Sequence, residues 1–241
     1  MPRTLNSYDA WKLFALFAMT VDHIGMFLID PAHNEAWRMV GRLAMPVFCF
    51  LVGYNGSYRF RSDLVWVALF VSVAVFARKG DVWMQNILWG IFLTRLLLDR
   101  ISLAGWKNGI WVVLPLAVLF FPVLRVFVDY GTLVLLWALA GRFAAQDRAC
   151  VEGKIYLVTA LLLTLFEVWD GFKPQVLTGM MASVALMVLS WRLWQLEIRP
   201  WGVRGLVGRC ARFVSDYALY YYGVHVVVLG ALGLWLGTFS R

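Results

Sequence analysis

Apolar residues fall in blocks of about 15–25 residues along the chain, and this block length limits the possible folds more than any other feature of the sequence. A soluble domain could not bury so much apolar surface in one core, since 62% of the 241 residues are hydrophobic and only 15% are charged. The blocks do not alternate between polar and apolar residues, as the strands of a membrane barrel would. The sequence therefore predicts an all-α, polytopic membrane protein and excludes a soluble enzyme, a disordered chain and a disulfide-stapled module.

The blocks predict about nine transmembrane helices, with eight and ten as the neighbouring counts, in a helical bundle that forms a single domain over residues 1–241. Several of the blocks are only about 15 residues long, which implies tilted helices, buried ends or a thinned bilayer. The predicted spans cover residues 11–29, 40–55, 64–78, 82–98, 106–121, 131–145, 155–169, 174–193 and 213–237.

The distribution of positive charge predicts the orientation of these helices. The chain carries 22 Lys and Arg residues against 14 Asp and Glu residues, which gives a net charge of +8. If the nine spans are threaded through a membrane, fourteen of the 22 cations fall on the side of the N-terminus, six fall on the other side, and Arg42 and Arg95 lie in or at the ends of spans. Because cytoplasmic loops are enriched in Lys and Arg, the N-terminus is predicted in the cytoplasm. The charge is thus a topology signal, and no nucleic-acid partner is expected.

Three cysteines, Cys49, Cys150 and Cys210, are scattered along the chain with no histidine at ligand spacing. This pattern predicts neither a disulfide framework nor a metal site. The candidate functional residues are instead the polar side chains inside the spans, where an ionisable group costs about 2.5–3.5 kcal/mol near the bilayer centre.

The first predicted span contains two adjacent ionisable residues, Asp22 and His23, and it begins with Lys12. Lys12 and His23 are about three helical turns apart, so they share one face of the helix. If the first two spans form a hairpin, Arg42 lies at the same depth as Asp22, where it would neutralise that carboxylate or face a developing oxyanion. The structural alternatives are pairing between helices for packing and, for Lys12, a lysine that reaches to the membrane interface.

Later spans carry further polar side chains. Asn86 lies near the outer end of the fourth span and Arg95 nearer the cytoplasm, although an amide in a membrane helix often serves only to hold helices together. In the last span Tyr217, Tyr221 and His225 are spaced four residues apart, which predicts one polar stripe on a helix.

Two polar regions lie outside the spans. Asp129 precedes the sixth span, where a cap or turn is the usual role. The five arginines of residues 192–212 accompany three tryptophans. They are expected to form an interfacial cytoplasmic segment attracted to anionic lipid, with a phosphate-bearing substrate as the alternative.

Several of these residues lie in motifs that resemble the TraX family, which is typified by the conjugative F-pilin acetylase. Lys12 with Met19-x-x-Asp22-His23-Ile24-Gly25, and then Gly41-Arg42-Leu43-Ala44-Met45-Pro46-Val47-Phe48, are similar to the first two motifs of that family. Three later segments are similar in order along the chain: Asn86-Ile87-Leu88, Asp129-Tyr130-Gly131 and Tyr220-Tyr221-Tyr222-Gly223-Val224-His225. Met45 and Gly223 replace a phenylalanine and a proline of the family pattern, and neither change removes a chemical group. The spacing Lys12-x(10)-His23 also resembles the Arg-x(10)-His pattern of the wider acyltransferase-3 superfamily.

The resemblance implies a multi-pass acetyltransferase of the bacterial inner membrane, with one transmembrane acyltransferase-like domain and no metal. It would move an acetyl group from cytoplasmic acetyl-CoA to an amine or hydroxyl at the periplasmic side, on a pilin-like protein or an envelope glycan, among membrane lipids. As a hypothesis, His23 is the general base or an acetyl relay, Asp22 orients it or holds its charge, and Arg42 or Asn86 stabilises the oxyanion. The residues assigned to the donor are Lys12, Asn86 and Arg95, and those assigned to the acceptor are His225, Tyr221, Tyr217 and Asp129.

Two other functions stay open at this point. A proton-coupled transporter would use Asp22 and His23 as a proton relay and Arg42 as a substrate clamp, and it predicts internal repeats, of which the sequence shows none. A structural subunit of an envelope assembly predicts that the buried polar residues can be replaced by apolar ones with little loss of function.

Overall fold

The computed structural model describes residues 4–30, 33–56, 60–79, 86–171, 175–203 and 205–236. Within these ranges the chain forms twelve helices and one isolated antiparallel bridge, between Asn6 and Pro200. The helices are α1 (Ser7–Leu28), α2 (Glu35–Gly41), α3 (Ala44–Tyr54), α4 (Ser62–Lys79), α5 (Ile87–Arg100), α6 (Leu103–Asn108), α7 (Ile110–Phe127), α8 (Leu133–Gln146), α9 (Val151–Gly171), α10 (Val176–Trp194), α11 (Gly205–Asp216) and α12 (Ala218–Trp235).

The prediction of an all-α membrane protein is confirmed. Five segments of the described chain are long and apolar enough to cross a membrane, with α2 and α3 counted as one. Each of the nine predicted spans overlaps a helix, and the count of about nine crossings stays a prediction. The five segments are Ser7–Leu28, Glu35–Tyr54, Ile110–Phe127, Val176–Trp194 and Ala218–Trp235.

Several predicted spans have different boundaries in the structure: the span predicted at 106–121, for example, is divided at Gly109, between α6 and α7. The span predicted at 40–55 is divided at Arg42 and Leu43, between α2 and α3. Pro46 explains this break, because it has no N–H and its ring clashes with the carbonyl group four residues earlier, that of Arg42. The span predicted at 213–237 begins too early, since the chain turns at Tyr217 and the polar residues before it belong to the separate amphipathic helix α11. Residue 237 lies outside the described residues.

The chain groups into two compact units, Met1–Phe48 with Phe172–Arg241, and Cys49–Gly171. In the first unit α1 packs against α2, α11 and α12, and α10 packs against α2. The start of α1 is fixed by a capping box, in which the side chains of Asn6 and Asp9 each accept a hydrogen bond from the backbone N–H of the other, at 3.1 Å. The single domain over residues 1–241 stays a prediction.

In the second unit the buried helix α8 packs against α5, α7 and α9. The C-terminal part of α3 approaches α8 at two glycines: a Cβ on Gly53 would overlap the carbonyl of Ala138, and a Cβ on Gly141 would overlap the carbonyl of Phe50. Arg142 of α8 is almost fully buried and donates to the carbonyl of Leu98, at 2.7 Å. This bond satisfies a carbonyl at the C-terminal end of α5.

Candidate functional site

Helices α1 and α2 approach each other closely at two glycines. A Cβ on Gly25 would overlap the side chain of Trp37, and a Cβ on Gly41 would overlap the side chain of Asp22. Small residues permit this approach between membrane helices, because backbones can come together only where no side chain intervenes. The motifs Asp-His-x-Gly and Gly-Arg therefore contain the two glycines that set the packing of this helix pair.

Asp22 forms an ion pair with Arg38 where these helices meet. The Nη1 of Arg38 donates to Oδ2 of Asp22 at 2.7 Å, and the two side chains are 26% and 15% exposed. The charge of Arg42, one turn further along, also acts on Asp22. A guanidinium thus neutralises Asp22 as expected, but the direct partner is Arg38 rather than Arg42, because α2 ends at Gly41 and Arg42 is its C-cap.

His23 of α1 and His225 of α12 are in direct contact. Their rings are stacked with centroids 4.8 Å apart, and Nδ1 of His23 lies 2.7 Å from Nε2 of His225. The ring centroids of Phe27 and Tyr222 lie 5.7 and 6.1 Å, respectively, from the ring centroid of His23. Two histidines from opposite ends of the sequence therefore form one pair with aromatic side chains around it.

The backbone around His225 fixes where the protons of this pair are held. Nδ1 of His225 lies 2.9 Å from the carbonyl oxygen of Tyr221. A carbonyl oxygen can only accept a hydrogen bond, so Nδ1 of His225 carries the hydrogen and, in the neutral ring, Nε2 is an acceptor. His23 must then donate from its Nδ1 to that nitrogen. This arrangement leaves the lone pair of neutral His23 on its Nε2, the nitrogen suited to accept a proton.

Thr20 and Tyr221 make a second contact between α1 and α12. The hydroxyl oxygens of the two residues are 2.8 Å apart, and the hydroxyl of Thr20 also bonds the carbonyl of Leu16 at 2.8 Å. Because the carbonyl takes the hydrogen of Thr20, the hydroxyl of Tyr221 donates to Thr20. Tyr221 thus supports the histidine pair through its carbonyl and ties the two helices together through its hydroxyl.

Lys12 and Tyr217, which the sequence assigns to the donor and the acceptor, also lie in the first unit. The Nζ of Lys12 donates to the carbonyl of Ser215, whose hydroxyl donates to Oδ1 of Asp9 at 2.9 Å. Lys12 and Asp9 thereby fasten the end of α11 to α1. Tyr217 is half exposed at the turn between α11 and α12, with its ring 4.7 Å from that of Phe213. Their roles in binding substrates stay predictions.

Asn86, Arg95 and Asp129 belong to the second unit. Asn86 is the N-cap of α5: its Oδ1 accepts from the backbone N–H of Leu88, and its Nδ2 donates to the carbonyl of Ala68 and to the hydroxyl of Ser72, all at 3.0 Å. These bonds use both hydrogens of the amide nitrogen and one acceptor position of Oδ1 for structure. The assignment of Asn86 to the donor or to an oxyanion stays a prediction. Arg95 is partly buried on α5, and its role also stays a prediction.

Asp129 begins a tight turn between α7 and α8. Tyr130 and Gly131, which follow it, have φ values of 65° and 47° in the left-handed region. A Cβ on Gly131 would press against the backbone N of Arg125, so this turn needs glycine both for its conformation and for its close approach. The structure therefore supports a structural role for the Asp-Tyr-Gly motif, and contact between Asp129 and an acceptor stays a prediction.

Two residues of the site were missed in the sequence. Arg38 precedes Arg42 by four residues and Thr20 precedes His23 by three, so each shares a helix face with a residue that was singled out. Helical spacing around the chosen residues would have identified both. Spacing could not rank Arg38 above Arg42 as the partner of Asp22, since that depends on where α2 ends.

The helices and the histidine pair define a polytopic helical membrane protein with a polar site between its first and last described helices. The chain belongs to the TraX family, because the model of that family, described as TraX protein, matches residues 7–233. An uncharacterized protein of Rickettsia prowazekii (strain Madrid E) is 30% identical over 98% of this chain and 95% of its own length. A protein of Dichelobacter nodosus named probable fimbrial assembly protein FimC, serogroup H1, is 25% identical over 93% of this chain and 95% of its own length. No solved structure matches the chain significantly.

Proposed function

We propose that this TraX-family protein is an acetyltransferase of the bacterial inner membrane, which moves an acetyl group from cytoplasmic acetyl-CoA to an amine or hydroxyl at the periplasmic side. The observation that carries the proposal is the contact between His23 and His225, in which the carbonyl of Tyr221 fixes the tautomer of both rings. A base whose second nitrogen is held by another group is the arrangement that acyl transfer requires. The resemblance to the F-pilin acetylase motifs supports the same chemistry.

Acetyl-CoA supplies the acetyl group and a thiol leaving group. In the proposed step, Nε2 of His23 accepts the proton of the acceptor as its nitrogen or oxygen bonds to the acetyl carbon. The carbon–sulfur bond then breaks, and His23 returns the proton to the departing sulfur. His225 accepts the hydrogen bond from Nδ1 of His23 throughout, so it orients the base and stabilises the imidazolium, as the third member of a catalytic triad does.

The two arginines near His23 have different proposed roles. Arg38 holds Asp22 in an ion pair. Arg42, four residues further along, is the cation proposed to stabilise the oxyanion that forms on the acetyl oxygen. In a covalent relay, Nε2 of His23 bonds to the acetyl carbon as the carbon–sulfur bond breaks and the thiolate of coenzyme A leaves. The acceptor then bonds to the acetyl carbon as the bond to Nε2 breaks, and its proton neutralises the thiolate. This route uses the same nitrogen and the same partner.

The proposed acceptor is the N-terminal amine of a pilin-like protein, with an envelope glycan as the second possibility. The name of the Dichelobacter nodosus relative, a probable fimbrial assembly protein, supports a role in building a surface fibre. An amine at the periplasmic side suits a base such as His23 that lies towards the outer end of its predicted span.

Mass spectrometry of envelope proteins and glycans tests this proposal. The comparison is between three strains: the wild type, a strain in which the gene is deleted, and the deletion strain with the gene restored on a plasmid. We expect at least one acetylated amine or hydroxyl to disappear with the gene and to return with the plasmid. An identical acetylation profile in all three would contradict the proposal and favour a transporter or a structural subunit.

A further inference from the structure

A cavity of about 400 Å³ lies in the first unit, beside the N-terminal part of α11. The backbone before α1 and the segment that precedes α11 form its walls, and two arginines of α11 complete them. The lining residues that matter here are Leu5, Trp201, Val203, Gly208, Arg209 and Arg212.

The walls of this cavity are held by backbone hydrogen bonds. The N–H of Trp201 donates to the carbonyl of Leu5 at 2.7 Å, and the N–H of Ser7 donates to the carbonyl of Arg199 at 2.9 Å. Leu5 is buried, and a Cβ on Gly208 would overlap the carbonyl of Val203, so α11 sits directly on the segment before it. The cavity is therefore a built feature of the fold and not a gap between loose chain ends.

The charge of the cavity is positive. Arg209 and Arg212 are three residues apart on α11, so they lie on one face of the helix. The Nε of Arg212 is buried and has no hydrogen-bond partner among the described residues. The described residues that line the cavity include no carboxylate. Arg212 thus has an unused buried donor, the described lining holds no acidic neighbour, and a planar guanidinium can donate to two oxygens of one phosphate at once.

We propose that this cavity binds a phosphate-bearing ligand from the cytoplasmic side through Arg209 and Arg212. Two sources supply that chemistry. One is the phosphates of coenzyme A, and for this source the inference rests on the proposed function. The other is the headgroup of an anionic phospholipid, because α11 also exposes Leu206, Val207 and Phe213, which suit contact with acyl chains.

Binding to the purified full chain in nanodiscs tests the proposal and separates the two sources. In phosphatidylcholine nanodiscs, coenzyme A is titrated in parallel with pantetheine, which lacks the phosphates. In nanodiscs that also contain phosphatidylglycerol, native mass spectrometry counts the phosphatidylglycerol molecules that stay bound to the chain. The same measurements are made on the double variant Arg209→Gln, Arg212→Gln and on the control Arg100→Gln, which replaces an exposed arginine at the end of α5, outside the cavity.

We expect the double variant to bind coenzyme A about tenfold or more weakly, or to lose bound phosphatidylglycerol, while the Arg100→Gln variant behaves as the wild type. The first result assigns the cavity to the coenzyme, and the second assigns it to the lipid. Equal binding by the double variant and the wild type in both measurements would overturn the proposal.

The wild type alone provides a test that does not depend on the folding of a variant. It must bind coenzyme A more tightly than pantetheine, or retain phosphatidylglycerol over phosphatidylcholine, and this preference must weaken at high salt. Absence of both preferences would overturn the cavity as a phosphate site.

The outcome also separates this inference from the proposed function. If the protein binds coenzyme A through the two arginines but transfers no acetyl group, the proposed acetyltransferase activity is wrong and the proposed phosphate site is supported. If the protein transfers acetyl groups normally and the double variant binds both ligands normally, only the proposed phosphate site is wrong.

Discussion

Single residues decide whether the site can act as a base. The carbonyl of Tyr221 accepts from Nδ1 of His225, and Nε2 of His225 accepts from Nδ1 of His23, so these two bonds leave Nε2 of His23 as the proposed basic nitrogen. Sequence alone identified His23, His225 and Tyr221 as candidates from their position inside spans and from the four-residue step. It could not show that the two histidines touch, because that contact depends on how α12 packs against α1.

Replacing His225 tests this chain of hydrogen bonds. We expect His225→Ala to lower the rate of acetyl transfer by about 10²–10⁴-fold, because His23 loses the partner that orients it. In His225→Gln the side-chain oxygen can still accept from Nδ1 of His23, so we expect an intermediate rate. The rate is measured with labelled acetyl-CoA and an envelope fraction as acceptor. Equal rates for wild type and His225→Ala would refute the orienting role.

The ion pair between Asp22 and Arg38 predicts an effect on stability. In Arg38→Gln the carboxyl group of Asp22 loses its charged partner in a largely buried place, which costs about 1–3 kcal/mol. We expect a lower midpoint of thermal unfolding in detergent. The matched control is Arg199→Gln, which breaks an exposed pair with Glu197 and should change the midpoint little. An equal shift of the unfolding midpoint in both variants would show that the pair between Asp22 and Arg38 stabilises the protein no more than an exposed pair does.

Whole helices explain which parts of the site the sequence could and could not predict. A hairpin of the first two spans was only a condition at the level of the sequence, and in the structure Gly25 and Gly41 make the close packing of α1 and α2 possible. Hydropathy alone does not indicate the end of α2 at Gly41, because it takes no account of the missing N–H of Pro46 or of the clash of its ring with the carbonyl of Arg42. Hydropathy also does not separate α11 from the last span, whereas the polar face of α11 marks a separate helix.

The close approach of α1 and α2 can be tested with a pair of glycine variants. Gly41→Ala places a methyl group into the side chain of Asp22, and we expect a loss of about 1–3 kcal/mol in stability together with lower acetyl transfer. Gly230→Ala, within α12, meets nothing within 4 Å and should be neutral or slightly stabilising. Thermal unfolding of both variants gives the comparison. If Gly41→Ala has the same midpoint of thermal unfolding as the wild type, α1 and α2 cannot be in such close contact at Gly41.

For the whole molecule, the sequence alone is enough to predict the class of the protein. Long apolar blocks and few charges predict a helical membrane protein, and the helices confirm it. The orientation rests on the excess of Lys and Arg on one side of the predicted spans. The fold of the chain does not determine this orientation, because a set of helices has the same contacts whichever way it is inserted in the membrane.

Reporter fusions test the predicted orientation. A fusion after residue 148, between α8 and α9, should be cytoplasmic, so green fluorescent protein should fluoresce there and alkaline phosphatase should be inactive. A fusion after residue 241 should give the opposite result, because an odd number of spans places the two ends on opposite sides. Cytoplasmic signals from both fusions would contradict nine spans.

Acetyl transfer by the purified protein with a single histidine changed tests the proposed role of His23 as the base. The full chain in proteoliposomes is supplied with labelled acetyl-CoA and with an envelope fraction, and label in the acceptor is counted. The control is His33→Ala, which removes an exposed histidine outside the pair. We predict transfer by the wild type and by His33→Ala, and none above background by a folded His23→Ala variant. Full transfer by His23→Ala would contradict the account.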